Sequence, residues 1–350
     1  MDPLDLIQEL TEAFGVAGFE EEIRTLLLQK LQGRVDRVET DALGNLLAYR
    51  QGRSRRRLLL DAHMDEVGLV VNHVDARGFL RVVPLGGWDP RILPGTLVQL
   101  RPEPGRHLWG VLGTTPPHVL TSEDRKKAVD FPQLFVDIGV SSREEAEALG
   151  VTPGVPLVPY VPPRRIQPDL LLAKALDDRL GCALILALLD RLTEPTPYDL
   201  VLSFSVGEEL GLRGARVLVP QVQPDVALAL EGTGAADTPG VPEEKQPSVF
   251  RQGPVITRLD KSLVVPHRMV QALEQAARDA GVPYQFKKPL FGGTNAGVLQ
   301  VSGKGVLAGV LSVPARYIHS PVSLVHRTDF EHTLRLLETF VMGVDRYLAL

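Results

Sequence analysis

The sequence of 350 residues predicts an α/β fold: a mostly parallel sheet flanked by helices, with a small β-rich domain inserted. Two observations predict this fold. Apolar runs without polar alternation, such as "YDLVLSFSV" and "DVALALE", alternate with helical patterns, which is typical of parallel strands buried on both faces. A stretch rich in valine, glycine and proline, with few helical patterns, interrupts this alternation and indicates a β-rich module.

The domain boundaries follow from this change in composition. We predict that residues 1–67 and 164–350 form one domain and that residues 68–163 form the inserted domain. Within the insertion, "GFLRVVPL", "GTLVQLRP" and "HLWGVLGT" are strand candidates, and "SREEAEALG" has the best helical pattern. The segment "VPLVPYVPPRR" contains four prolines and is predicted to be the linker that ends the insertion.

Helical patterns at both ends of the chain belong to the larger domain. Apolar residues recur at helical spacing in the first 33 residues, on either side of the turn "GVAGFEEE". Further helices are predicted in "DDRLGCALILALLDRL", "RGARVLVPQV" and "HRMVQALEQAARDAG". The last helix is predicted to begin at "TDFE", where Thr328 and Glu331 have the spacing of a capping box.

Composition and charge argue against several classes of function. The formal net charge of -5 provides no basic excess for binding nucleic acid. The single cysteine, Cys182, cannot form an internal disulfide, so a reducing compartment is expected. The first residues include acids where a signal peptide needs bases, and no stretch reaches the ~18 apolar residues of a membrane span. We therefore expect a cytoplasmic protein with no membrane or nucleic-acid partner.

Four apolar runs of the sequence each end in a residue type that binds metals or transfers protons. These residues are His63, Glu208 with Glu209, Glu231 and His319. A fifth segment, "AKALDDR", places Asp177 and Asp178 just before a predicted helix. Because ligand sites in open α/β sheets form at the carboxyl ends of strands, we expect these side chains to meet.

The chemistry of this set favours a pair of divalent cations. Two imidazoles and several carboxylates suit zinc, cobalt or manganese. One carboxylate can bridge two metals ~3.5–4 Å apart, and such a pair activates water and polarises a carbonyl group. A further carboxylate, free of metal, is needed to accept the proton of the water. If "GEE" is extended, its two glutamates point in different directions, so one can bind metal while the other faces the water.

Each feature alone has a plainer interpretation. A histidine at the end of a strand is more often a hydrogen-bonded structural residue. Paired aspartates before a helix are more often a cap, and paired glutamates in a loop are usually solvated. Only the recurrence of these residue types at strand ends and at a helix start favours a common site.

The chain resembles the family of dimetal aminopeptidases that includes tetrahedral (TET) aminopeptidases, glutamyl aminopeptidase and proteins labelled cellulase M. The matching segments span nearly the whole chain in order. They are "GVAGFEEEIR", "DALGNLLA", "DAHMDEVGLVV", "VDIGVSSREEAEALGV", "AKALDDRLGC", "SVGEELGLRGA", "EGTGAADTPG", "FGGTNAG" and "RYIHSPVSLV". Relatives usually read "GGTDAG" where this chain has Asn295, which keeps the shape of aspartate and loses its charge.

The resemblance implies a role for each site residue. The expected metal ligands are His63, Asp177, Glu209, Glu231 and His319. Asp177 would bridge two divalent ions of zinc, cobalt or manganese. His63 and Glu231 would bind one ion, and Glu209 and His319 would bind the other. Glu208 would be the general base, and Asp65 would orient the imidazole of His63.

The resemblance also implies an activity and an assembly. The expected activity is removal of N-terminal residues from short peptides by a catalytic domain of residues 1–67 and 164–350. The insertion, residues 68–163, would be a dimerisation domain, with dimers assembling into a hollow tetrahedral dodecamer. The alternatives are a dimetal deacylase or carboxypeptidase, a glycoside hydrolase (endoglucanase) that uses paired carboxyls without metal, and a non-catalytic assembly protein.

Overall fold

A computed structural model describes residues 2–288 and 292–349 of the chain. The strands are β1 (Arg37–Thr40), β2 (Leu46–Arg50), β3 (Ser54–His63), β4 (Gly68–Val74), β5 (Leu80–Leu85), β6 (Leu97–Glu103), β7 (Arg106–Gly113), β8 (Phe135–Asp137), β9 (Pro156–Pro159), β10 (Arg164–Gln167), β11 (Leu170–Ala173), β12 (Tyr198–Ser205), β13 (Val226–Ala235), β14 (Val255–Ile256), β15 (Gln285–Phe286), β16 (Leu307–Arg316) and β17 (Ser323–His326). The helices are α1 (Pro3–Glu12), α2 (Glu21–Leu31), α3 (Arg143–Ala148), α4 (Leu176–Arg191), α5 (Ala215–Val222), α6 (His267–Ala280), α7 (Asn295–Val301), α8 (Arg327–Met342) and α9 (Val344–Leu348).

The larger sheet has parallel strands at its centre and antiparallel strands at its edges. Its order is β1-β2-β12-β3-β13-β16-β17-β11-β10, with β14 and β15 attached beside β16. The four central strands β12, β3, β13 and β16 are parallel to one another, whereas β2 and β17 pair antiparallel to them. The predicted α/β class is confirmed, and its parallel character is concentrated in the strands that carry the site.

The apolar runs became central strands because both of their faces are covered. Nearly every position of β13 is buried, including successive residues that point to opposite faces of the sheet. Helix α4 is also buried for most of its length and packs against β3 and β13. The uninterrupted apolar sequences are therefore the ones that a sheet between two layers requires.

The register brings residues of three strands to one level. His63 pairs with Ser205 of β12, and Asp61 pairs with Ala229 of β13, so Glu231 lies level with His63. The apolar run ends at Glu231 as the sequence indicates, but the strand is longer, because β13 continues to Ala235 alongside the equally long β16. The predicted meeting of these side chains does not depend on that difference.

The start of the last helix also differs from the prediction. Helix α8 begins at Arg327, and the imidazole of His326 caps it by accepting a hydrogen bond from the backbone N–H of Thr328. The segment "TDFE" therefore lies inside the helix and does not form the predicted capping box. The reason is that β17 leads directly into α8 and leaves no separate loop in which Thr328 could act as the cap.

The insertion forms a small closed barrel with its own core. Its strands follow the order β4-β5-β8-β7-β6-β9, and their paired neighbours are antiparallel. The core includes Leu69, Leu80, Leu100, Leu112, Val136 and Leu157. The expected β-rich module is confirmed, whereas its limits at residues 68 and 163 stay a prediction. The proline-rich segment predicted to be a linker contains β9, whose pairing with β4 and β6 closes the barrel.

None of the helices in residues 2–288 and 292–349 has both the length and the apolar character that crossing a membrane requires.

Candidate active site

Two imidazoles face one another across the carboxyl edge of the sheet. His63 is the last residue of β3, and His319 follows β16 in a left-handed backbone conformation with φ of 56°. The Nδ1 atom of His63 lies 3.2 Å from the carbonyl oxygen of Asp65, and that of His319 lies 3.0 Å from the carbonyl oxygen of Gly87. When Nδ1 donates to these oxygens, each Nε2 is left with a lone pair directed at the carboxylates, as in metal-binding histidines.

The carboxylate of Asp177 lies between the two imidazoles. Its Oδ1 is 3.2 Å from Nε2 of His63, and its Oδ2 is 3.4 Å from Nε2 of His319. One oxygen therefore faces each ring. This is the arrangement that a carboxylate bridging two cations needs.

One further glutamate accompanies each imidazole. Glu231 Oε2 lies 3.8 Å from Nε2 of His63, and Glu209 Oε1 lies 3.2 Å from Nε2 of His319. The result is three groups of nitrogen and oxygen donors, each within 4.8 Å: His63, Asp178 and Glu231; His63, Glu208 and Glu209; and Asp177, Glu209 and His319. Mixed imidazole and carboxylate donors suit zinc, cobalt and manganese, so the residues present fit two divalent cations.

The two adjacent aspartates have different environments. Asp178 accepts hydrogen bonds from the backbone N–H of Gly181 at 2.9 Å and from that of His63 at 3.2 Å. Asp178 thus caps the first turn of α4 and fixes the backbone of His63, while Asp177 faces the imidazoles. The interpretation of the pair as a cap is correct for the second aspartate only.

Asp65 organises both the imidazole and the turn that carries the glutamates. Its carboxylate lies 3.4 Å from Nδ1 of His63, and its two oxygens accept the backbone N–H groups of Glu208 at 3.0 Å and Glu209 at 3.1 Å. The turn is not extended: it follows β12 and includes Gly207 with φ of +59°. The condition under which strand alternation would separate the two glutamates is therefore not met.

Two residues that the sequence did not single out hold the same turn. Asn45 Oδ1 accepts the backbone N–H of Val206 at 3.0 Å, and Glu20 Oε1 accepts that of Gly207 at 3.2 Å. Together with Asp65, they bind the backbone N–H groups of four consecutive residues. Both lie in segments that carried the resemblance, "GVAGFEEE" and "DALGNLLA", which was the available signal.

The donors open into a cavity of about 670 Å³. Its polar floor consists of the imidazoles and carboxylates, and its walls include Gly292, Gly293, Thr294 and Lys287. The volume falls within the ~300–1,000 Å³ typical of small-ligand sites.

Comparison with known families identifies the fold and the general chemistry. The model of the M42 glutamyl aminopeptidase family matches residues 44–336, which is most of the chain. This chain belongs to the M42 family. It is a peptide-bond hydrolase of the aminopeptidase class, and M42 enzymes are metallopeptidases.

Individual M42 relatives resemble the chain over nearly its full length. The lysyl aminopeptidase of Pyrococcus furiosus is 34% identical over 347 residues, which cover 96% of both chains. A TET aminopeptidase structure from a marine sediment archaeon of the Thaumarchaeota has a TM-score of 0.95 and 34% identity, covering 99% of this chain and 98% of the other. The TET1 peptidase of Pyrococcus horikoshii, described as assembling into a tetrahedron or a large octahedral shell, has a TM-score of 0.86 and 30% identity, covering 97% and 99%.

Burial and crowding shift the pKa values of the carboxyls in this M42 chain. Burial raises the pKa of Glu208 to about 8; the imidazole of His63 opposes the shift, and the charge of Glu209 adds to it. Burial also raises the pKa of Glu209 and of Glu231 above the usual range. Buried like-charged carboxylates need compensating positive charge, which divalent cations supply.

The two imidazoles respond in the opposite direction. Burial opposes protonation of His319, but hydrogen bonds to Asp177 and Glu209 outweigh it and raise the pKa to about 11. The same balance, with Asp177 and Asp65 as partners, raises the pKa of His63. The protein groups thus create a strongly negative field at the two Nε2 atoms, which favours cations at that place.

Asn295 belongs to the support of the site and is not an exposed turn residue. It is buried at the start of α7, and its Nδ2 donates to Asp61 Oδ2 at 2.8 Å and to Ser205 Oγ at 2.9 Å. These contacts tie the glycine-containing wall of the cavity to β3 and β12. An uncharged amide makes both contacts to Asp61 and Ser205 as a donor, which an ionised aspartate could not do.

Proposed function

We propose that this chain is a metal-dependent aminopeptidase that removes N-terminal residues from short peptides with two divalent cations per subunit, zinc or cobalt, or manganese. The single observation that carries the proposal is the position of Asp177, whose two oxygens each face a different Nε2 atom. The Nδ1 atoms of both imidazoles are already engaged by oxygen atoms, so the pair of rings is oriented for metal.

We assign the residues as the resemblance implies. The metal ligands are His63, Asp177, Glu209, Glu231 and His319, with Asp177 as the bridge. The cations, when bound, would polarise the scissile carbonyl group and acidify water. Glu208 is the general base, and Asp65 orients the imidazole of His63. Asp65 also accepts the backbone N–H of Glu208 and so holds the turn that carries the base.

The reaction then requires one proton transfer in each direction by Glu208. Its carboxylate accepts a proton from the attacking water and later passes it to the departing amine. Burial favours the protonated form of Glu208, and divalent cations, when bound nearby, would favour the ionised form that a base needs.

We also propose that residues 68–163 form a dimerisation domain and that the dimers build a tetrahedral dodecamer in the cytoplasm. The support is a group of large apolar side chains of this segment that are 41–48% exposed: Ile92, Leu97, Trp109 and Val111. Exposed apolar groups of this kind mark protein interfaces. Light scattering of the purified protein tests the assembly, and a monomer at micromolar concentration would contradict it.

The first experiment removes and restores the metal. The stripped protein should not cleave free-amine aminoacyl substrates, and added Co²⁺ or Zn²⁺ should restore cleavage while N-acetylated counterparts stay intact. Equal cleavage of the blocked substrates would support a deacylase or carboxypeptidase instead. Activity that survives stripping would point to a glycoside hydrolase only if a polysaccharide were cleaved as well. No observation at the site favours that outcome, because two imidazoles share it with the carboxylates.

The second experiment tests the general base. Glu208→Gln should lower kcat at least ~10³-fold, because the amide cannot accept the proton of the water. The matched control Glu338→Gln changes a half-exposed glutamate on α8 and should retain full activity. Metal content measured on both variants should equal that of the unmodified protein. Turnover that persists in Glu208→Gln would refute the assignment.

A further inference from the structure

A lysine lies on the wall of the cavity that holds the candidate ligands. Within residues 2–288 and 292–349, Lys287 is the one lysine or arginine lining this cavity; the other charged side chains there are carboxylates and imidazoles. Lys287 is half-buried. No described residue forms a hydrogen bond or an ion pair with its ammonium group.

The neighbouring lysine has a different environment. Nζ of Lys288 donates to the carbonyl oxygen of Glu243 at 2.5 Å and lies 3.9 Å from its carboxylate. Lys288 is not one of the described residues that line the cavity. The two adjacent lysines thus differ: the ammonium group of Lys288 has a partner within the chain, whereas Lys287 lines the cavity and no described residue pairs with its ammonium group.

The backbone fixes this division. The N–H of Lys287 donates to the carbonyl oxygen of Ile256 at 3.0 Å, which extends the pairing of β14 with β15. The N–H of Lys288 donates to the carbonyl oxygen of Pro247 at 2.9 Å. Two successive backbone hydrogen bonds hold the segment, so the position of Lys287 on the wall is built into the fold.

The charges of the cavity leave this ammonium group available. The carboxylates of the floor are assigned to the cations and to the general base, and none lies within ion-pair distance of Lys287. An anionic group of a ligand in the cavity would give this ammonium group a charge-assisted hydrogen bond that no described residue provides. A peptide substrate can supply a carboxylate.

We propose that Lys287 binds a carboxylate of the peptide substrate and thereby determines specificity, an inference that rests on the proposed aminopeptidase function. The carboxylate has two possible sources: the side chain of an acidic N-terminal residue, or the C-terminus of a very short peptide. A peptide extends by at most ~3.3–3.6 Å per residue, so both groups are within a few residues of the scissile bond.

Two pairs of substrates separate the sources. Glutamyl p-nitroanilide and glutaminyl p-nitroanilide differ only in the side-chain charge, and the dipeptide Leu-Gly differs from its C-terminal amide only in the α-carboxylate. Lys287→Met removes the ammonium and keeps the length of the side chain, and Lys287→Arg keeps the charge. Lys288→Met is the matched control, because that ammonium has its own partner.

The expected result is a change in the ratio of kcat/KM within one pair. A charge-assisted hydrogen bond contributes about 1.5–3 kcal/mol, so Lys287→Met should lower the ratio of the charged to the neutral substrate ~10–100-fold, chiefly through KM. Lys287→Arg should recover part of the ratio, and Lys288→Met should leave it unaltered. A change in the first pair identifies the side chain, and a change in the second identifies the C-terminus.

Equal effects of Lys287→Met on both members of each pair, or no effect, would overturn the proposal. Binding of the same substrates to metal-loaded Glu208→Gln, with and without Lys287→Met, gives a calorimetric readout that needs no turnover. If the unmodified protein binds them with the expected preference and cleaves none, the aminopeptidase function fails while the role of Lys287 stands. If it cleaves them without preference, the aminopeptidase function stands and the role proposed for Lys287 fails.

Discussion

The two halves of the site are built from different parts of the molecule. His63 is 1% exposed, ends a central strand and is held by Asp65 two residues later. The side chain of His319 is 36% exposed, lies in a left-handed turn after β16 and is held by the carbonyl oxygen of Gly87, which follows β5 of the barrel. One half therefore depends on the sheet, and the other depends on how the barrel lies against it.

The sheet half also has a buried ionic support that the other half lacks among the described residues. Glu66 accepts Nζ of Lys174 at 2.6 Å and lies 3.4 Å from a guanidinium nitrogen of Arg179, and all three side chains are at most 3% exposed. Arg179 also donates to the carbonyl oxygens of Met64 and Ala13. This cluster joins the residues after His63 to the start of α4, so two of the site's loops are fixed together.

We therefore expect the half of the site around His63 to tolerate substitutions unless they remove a buried partner. The half around His319 should respond to small changes in the loop that contains Gly87. Three substitutions test this contrast, and a fourth, remote from both halves, provides a reference.

The largest effect is expected in the buried cluster. Glu66→Ala leaves two buried cations without their carboxylate and should lower the free energy of unfolding by about 3–5 kcal/mol. Denaturant unfolding of the metal-free protein measures it. Glu338→Ala removes a half-exposed carboxylate paired with Arg191 and should cost at most ~1 kcal/mol. Similar losses in the two variants would contradict the special role of the cluster.

Asp65→Ala should affect function more than stability. It removes the group near Nδ1 of His63 and the acceptor of two backbone N–H groups in the turn of Glu208. Loss of such supporting groups typically costs ~10–100-fold in metal affinity or activity. Competition with a chromophoric chelator measures the affinity, and steady-state kinetics measure kcat. Asp65→Asn retains one acceptor oxygen, so its metal affinity should lie between those of Asp65→Ala and the unmodified protein. An unaltered metal affinity in Asp65→Ala would refute the supporting role of Asp65.

Gly87→Ala tests the half that the barrel supports. A Cβ at this position would lie 3.0 Å from Nδ1 of His319, so the ring or the loop must shift. We expect metal affinity to fall ~10-fold at one of the two sites, seen as a titration that becomes biphasic. Gly234→Ala, where the added carbon would meet Ile318 only at ordinary contact distance, is the control. A single unshifted transition in Gly87→Ala would show that the carbonyl contact is not needed.

The smallest effect concerns an ion pair remote from both halves. Hydrogen bonds from Arg327 hold the pKa of Asp2 well below its usual range. Because the folded-state pKa is lowered, the pair stabilises the protein fully above the unfolded-state pKa of ~3.9, and this contribution is lost progressively as the pH falls from there through the lower folded-state pKa. Asp2→Asn retains the cap of α1 and should cost at most ~1 kcal/mol at pH 7. Its difference from the unmodified protein should shrink steadily in denaturation curves as the pH is lowered below ~3.9.

The sequence was sufficient where local pattern and chain-wide topology agree. Unbroken apolar runs predicted the central strands. Because ligand sites form at the carboxyl ends of strands, His63 and Glu231 were expected to meet, together with Asp177 from the start of a helix. Their distances in the structure support this expectation. It was insufficient where a contact depends on distant backbone. No pattern indicates that Gly87 would meet His319, or that Glu20 and Asn45 would hold the turn after β12.

Two errors have a common physical cause. The extended backbone considered for "GEE" and the cap predicted at "TDFE" were both inferred from short windows of sequence. In the structure, Asp65 binds the first segment from another loop, and β17 runs directly into α8 at the second. Long-range hydrogen bonds and chain continuity decide such boundaries, and a short window contains neither.

The position of the barrel within the chain has a consequence during synthesis on the ribosome. The strands of the barrel pair only with one another and lie in one continuous segment, so they can form as soon as that segment has emerged. The central sheet needs β3 from before the barrel and β12, β13 and β16 from after it. The residues proposed to bind metal can come together only after His319 has been synthesised, because it is the last of them in the chain. Until then a nascent chain can carry a folded barrel but lacks the complete set of proposed metal ligands.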